Sequence, residues 1–135
     1  LHRSDDGGRT FGEIAMPAFP ADAADAPALF QILTIEGGGR AHPDRLWIGA
    51  IPAGLFRSDD CGDSWQLAAA LWNVPERTRW FGGGYDAAGI RPIHATMTAR
   101  SWRFPAGACG KRAMPAPAGL CGALWISDNG GECWS

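Results

Sequence analysis

Ser58-Asp59-Asp60-Cys61-Gly62-Asp63-Ser64-Trp65 is the stretch from which the fold is read, because two other segments repeat its pattern. They are Ser4-Asp5-Asp6-Gly7-Gly8-Arg9-Thr10-Phe11 and Ser127-Asp128-Asn129-Gly130-Gly131-Glu132-Cys133-Trp134. All three obey Ser-x-(Asp/Asn)-x-Gly-x-x-(Trp/Phe). The third side chain of the octet is short and polar, so its oxygen can accept hydrogen bonds from the amides of its own turn. The glycine two places on can take positive φ, which a tight reversal needs. The serine hydroxyl can tie the entering strand to the turn. The closing aromatic begins the return strand and covers the turn from the core side. Each octet is expected to be a self-stapled β-hairpin.

The flanks agree. Gly54-Leu55-Phe56-Arg57 precedes the second octet, and Gly122-Ala123-Leu124-Trp125-Ile126 the third. Both read as short strands, and Gln66-Leu67-Ala68 continues the return strand of the second. Three matches with strand-like flanks make coincidence a poor explanation, even in a glycine-rich chain.

These octets resemble the Asp-box, or BNR, repeat, which occurs in sialidases, sortilin-type receptors, some xyloglucan-degrading enzymes and many bacterial proteins. The resemblance implies that each box sits at the hairpin between the third and fourth strands of a β-propeller blade. It implies structural roles for Ser4, Asp6, Gly8 and Phe11, for Ser58, Asp60, Gly62 and Trp65, and for Ser127, Asn129, Gly131 and Trp134. The longer run from Leu46 to Asp60 is similar to bacterial BNR-repeat glycosyl hydrolases of exo-sialidase-like type. The resemblance covers residues 1–90 and 119–135 well and is weak between them.

The expected fold is therefore all-β, a partial propeller of about two and a half four-stranded antiparallel blades. Residues 1–16 read as the end of one blade and 27–69 as a complete blade. Within the latter, Ala28 to Glu36 is the innermost strand, with alternating apolar positions, and Arg45 to Ile51 the second. Residues 70–89 read as an inter-blade loop and 90–135 as a divergent or truncated blade. Closed propellers need at least four blades, so the expected partners include further blades of a longer chain or, less simply, other copies of this one. Residues 91–118 are rich in Ala, Arg, Pro and Gly and lack alternation. They read either as a long divergent loop or as a shifted reading frame, which translation of the other two frames would decide.

Composition bounds the function. The net charge of −2 lacks the basic footprint of a nucleic-acid binder. No apolar run approaches the ~20 residues that cross a bilayer, so no membrane partner is expected. The compartment is left open. The four cysteines Cys61, Cys109, Cys121 and Cys133 form no CxxC pair, and the only histidines are His2, His42 and His94. That spacing argues against a zinc site, and sparse cysteines favour free thiols over a disulfide framework. The boxes lack the full ligand series of a calcium loop. No metal and no cofactor is expected. Neither Gly37-Gly38-Gly39 nor Gly82-Gly83-Gly84 matches a phosphate loop.

One stretch offers a ligand site. Between Leu71 and Asp86 lie Trp72, Glu76, Arg77, Arg79, Trp80, Tyr85 and Asp86, with three consecutive glycines. Aromatic faces beside guanidinium forks and carboxylates suit a carbohydrate, through ring stacking and charged hydrogen bonds. The competing reading is a connection whose tryptophans plug the gap between blades. The family's sialidase chemistry uses three arginines, a Tyr–Glu pair and an acid Asp. No segment here matches the motifs around those residues, so catalytic residues are left unassigned. The functional expectation is a sialidase-like propeller fragment acting on carbohydrate, with a non-catalytic scaffold or binding module for protein or glycan as its rival.

Overall fold

A computed structural model describes residues 1–22, 27–80 and 87–90, together with the backbone of 94–95, 102–103 and 126–127. The chain is mostly β, in antiparallel sheets. Strands β1 (His2–Arg3) and β2 (Gly12–Glu13) form a hairpin around the first box. Strands β3 (Gln31–Gly37), β4 (Leu46–Ile51), β5 (Gly54–Ser58) and β6 (Gln66–Leu67) form a four-stranded meander in that order. Strands β7 (His94–Ala95), β8 (Trp102–Arg103) and β9 (Ile126–Ser127) form a third sheet, also in chain order. The weakly patterned region 91–118 thus contributes two short strands, β7 and β8. Its remaining residues, and the choice between loop and frame error, lie outside the described residues.

The three sheets share one register. In the meander Phe56 pairs with Leu67 and Arg57 with Gln66. In the first hairpin His2 pairs with Glu13 and Arg3 with Gly12, which are the equivalent positions counted from each box serine. In the third sheet Trp102 pairs with Ser127 and Arg103 with Ile126, as Leu46 pairs with Ser58 and Trp47 with Arg57. His94 opposite Arg103 likewise matches Glu36 opposite Trp47.

The period-2 alternation of β4 decides the packing. Ile48 and Ala50 point to one face with Phe56, and this face is covered by Leu1, Phe19 and Leu29 from the chain before the meander. Trp47 points to the other face with Leu55, where Leu71, Trp80 and Ile90 from the chain after it pack. Both faces are dry at β4 and β5: Trp47, Ile48, Leu55 and Phe56 are each at most 2% exposed. Each such side chain contributes roughly 1.5–3 kcal/mol. Gly49 lets the second cover approach, since a Cβ there would lie 2.6 Å from the Ile90 carbonyl oxygen. Strand β3 is different. It has no fully buried residue, its register shifts between Ile32 and Thr34, and Ile35 is 52% exposed.

Two departures from the sequence reading are local. The first meander strand starts at Gln31 rather than Ala28, although the Phe30 amide still donates to the Ile51 carbonyl at 2.9 Å. The connection after β6 is not irregular throughout. It forms a helical turn α1 (Ala69–Trp72) and a 3-10 turn (Pro75–Arg79). Ala and Leu favour the first, and Pro75 supplies a fixed φ at the start of the second.

Candidate functional site

The box turns decide what their carboxylates are free to do. In the second box, Ser58 Oγ donates to Asp60 Oδ1 at 2.7 Å and accepts from the Gly62 amide at 2.7 Å. Asp60 Oδ1 also accepts from the Ser64 amide at 2.9 Å, and Oδ2 accepts from the Ser64 hydroxyl. The first box repeats this network. Ser4 Oγ donates to Asp6 at 2.8 Å, the Gly8 amide donates to Ser4 Oγ at 2.7 Å, and the Thr10 amide and hydroxyl donate to the two Asp6 oxygens. Hydrogen bonds to the charged form hold both carboxyls at a pKa of about 2, with Thr10 the main cause for Asp6 and Ser64 for Asp60. Such groups stay ionised and are poor general acids. The hydroxyl at the seventh box position, Thr10 or Ser64, was missed in the sequence pattern, though both octets carry one.

A second feature missed in the sequence is the clamp between repeats. Arg3 Nη1 donates to the Cys61 carbonyl at 3.1 Å and to Asp63 Oδ1 at 2.9 Å, so β1 grips the tip of the second box. Trp65 Nε1 donates to the Ala15 carbonyl at 2.9 Å, and Ile14 lies where a Cβ on Gly62 would fall. The signal was the arginine that precedes the serine in both octets. Arg57 and Asp59, like Arg3 and Asp5, form an ion pair at 3.1 Å. Arg3, Asp5 and Asp63 rim a cleft of about 280 Å³ that also includes Asp6 and Glu13.

Of the proposed carbohydrate residues, the structure brings together Trp72, which is buried, and Arg77, which is half-buried. Trp72 is 8% exposed. The Arg77 guanidinium carbon lies 3.5 Å from the indole centroid, and Phe19 packs on the ring at 4.8 Å. Arg77 Nε also donates to the Trp72 carbonyl at 2.7 Å. Burial pulls the Arg77 guanidinium below its ordinary pKa. The Trp72 ring is thus covered by Phe19 and by the Arg77 guanidinium. Trp80 is half-buried against Leu71 and its neighbours. Glu76 and Arg79 are exposed on the 3-10 turn. Tyr85, Asp86, Asn129, Gly131 and Trp134 lie outside the described residues, as does the side chain of Ser127.

Cys61 is a free thiol, pushed above its ordinary pKa chiefly by burial and then by Asp44, whose carboxylate is 3.6 Å from the sulfur. A raised pKa lowers the share of thiolate, the nucleophilic form, at neutral pH. Among the described residues no group of three His, Cys, Asp or Glu side chains could hold a metal ion, and no helix is long and apolar enough to cross a membrane.

No family model matches the chain, and no curated protein matches it.

Proposed function

We propose that this chain is a sector of a sialidase-like Asp-box β-propeller, and that the described residues form its non-catalytic frame, which presents loops to a glycan or protein partner. The observation that carries the reading is the shared register of the three sheets. Box serine, strand pairing and sheet order recur at equivalent positions in each sheet where the backbone is described. Two further facts support it. The first strands of successive sheets, β3 and β7, lie beside each other, as inner strands around a common axis would. Both faces of the meander are covered by chain segments that precede and follow it, which accords with stacked blades.

The frame reading follows from what the polar groups already do. Both described box carboxylates are committed to their own turns, and the buried Trp72 ring is covered by the Arg77 guanidinium. A cryo-EM or crystal structure of the intact gene product tests it. Four-stranded sheets with their first strands arrayed around one axis are expected; a two-layer sandwich would refute it.

A glycoside hydrolase remains the second reading because Glu76 and Arg79 are exposed on one turn beside Trp80. Binding on a glycan array that disappears in both Glu76→Gln and Arg79→Ala would favour it. Undiminished binding in both variants would remove this turn from the site.

A further inference from the structure

Asp6 is the only aspartate of the sequence that is followed by glycine; its counterpart Asp60 is followed by Cys61. Asp6 and Gly7 are both exposed, and a Cβ on Gly7 would meet nothing within 4 Å, so the Gly7 nitrogen is uncrowded. Among the described residues no acceptor takes the Gly7 amide hydrogen, whereas the Cys61 amide donates to the Asp44 carbonyl at 2.8 Å. A free amide on a residue without a side chain can attack the carboxyl carbon of the aspartate before it. The closed turn opposes that attack. Asp6 Oδ1 accepts from the Ser4 hydroxyl and from the amides of Arg9 and Thr10, and Oδ2 accepts from the Thr10 hydroxyl. These bonds, with the Thr10 amide first among them, keep the carboxyl ionised with a pKa of about 2. An ionised carboxyl has no hydroxyl to lose as water.

We propose that Asp6–Gly7 is a modification site, at which the chain rearranges through a succinimide to isoaspartate when the first turn opens. In the opened turn the carboxyl takes up a proton. The Gly7 nitrogen bonds to Asp6 Cγ and gives up its hydrogen, which leaves with the carboxyl's hydroxyl as water. Water then adds back to the ring. Cleavage of the bond from nitrogen to Cγ restores aspartate. Cleavage of the bond from nitrogen to the main-chain carbonyl carbon gives isoaspartate, with the main chain running through the former side chain. The carboxylate then sits directly on Cα and cannot make the bonds to Ser4, Arg9 and Thr10 that close the turn. Conversion therefore unties the hairpin from which Arg3 reaches Asp63. The second turn, with its tethered and crowded Cys61 amide, is spared.

The test incubates the 135-residue chain at neutral pH beside a synthetic peptide of residues 1–14, the open reference. Isoaspartate at Asp6 and at Asp60 is followed by peptide mapping and labelling with an isoaspartyl methyltransferase. Isoaspartate is expected at Asp6 in both samples, about tenfold or more slowly in the folded chain, because conversion there waits on opening of the turn. None is expected at Asp60. Thr10→Val, which removes the hydroxyl donor to Oδ2, should speed conversion at Asp6 in the chain about threefold or more. The matched Ser64→Ala should leave Asp60 unconverted. Absence of isoaspartate at Asp6 in the chain or the peptide overturns the proposal, as do equal rates at Asp6 and Asp60. Conversion as fast in the chain as in the peptide, or unchanged by Thr10→Val, overturns the control by the turn. Should Thr10→Val unfold the chain, its rate becomes that of the peptide, and the unsubstituted chain against the peptide decides.

Discussion

The two described octet turns make nearly the same hydrogen bonds in quite different surroundings. Ser58 is 1% exposed and Gly62 is buried beneath Ile14 and Trp65, whereas Ser4 is only half-buried and Gly8 is open to solvent. Phe56, before the second box, is fully buried; His2, its equivalent before the first, is exposed. Cys61 takes φ of 57° where the first box places Gly7 at 73°. The turn is thus a local property of eight residues, while its burial depends on what the neighbouring repeat puts over it. Equivalent substitutions in the two boxes separate those contributions.

The largest contrast is expected one step before the turns. Phe56→Ala removes a ring packed against Phe19 at 5.1 Å between centroids and should cost about 3–5 kcal/mol in urea unfolding. His2→Ala at the equivalent place should stay within about 0.5 kcal/mol. Equal costs would mean that the first hairpin is as deeply packed as the meander.

A smaller contrast is expected at the box serines. Ser58→Ala leaves the buried Gly62 amide without its acceptor and should cost about 1–3 kcal/mol, while water can replace Ser4 Oγ at Gly8 and hold that loss below about 1 kcal/mol.

Acid should treat the two turns alike. Asp6 and Asp60 have folded pKa values of about 2, lowered from 3.8. Their stabilising contribution is complete above the unfolded value and is lost as pH falls from about 4 through about 2. Carboxyl carbon shifts followed by NMR check this, and midpoints near 4 for either residue would show that its turn is open.

The smallest effect is expected from Cys61→Gly. A non-glycine residue in the left-handed region is strained, and glycine relieves that strain at some cost in unfolded-chain entropy. The net result should be a rise in Tm of about 2 °C.

What could be read from the sequence follows the range of the interactions. The box turns were legible because every bond in them spans at most four residues, from Ser4 to Gly8 or Asp60 to Ser64. The antiparallel meander was legible because residues 28–36 alternate, Leu46 to Ile51 is an apolar run and the turns carry glycine and proline. The burial of Trp72 was not, since it depends on Phe19, far away in sequence, and on Arg77 folding back from the next turn. A tryptophan beside arginines reads the same whether the pair faces a sugar or the core. The Arg3 clamp on Asp63 was hidden for the same reason: nothing local to either residue says that they meet.

The contact between repeats is tested most directly by nuclear Overhauser effects from the Trp65 indole N–H. The structure puts that proton on the Ala15 carbonyl, with Ile14 against Gly62. Cross-peaks from the indole proton to Ala15, and from the Ile14 methyls to Gly62, are the predicted result, with slow exchange of the indole proton. An indole that exchanges as freely as a solvent-exposed tryptophan and shows neither set of cross-peaks would contradict the account.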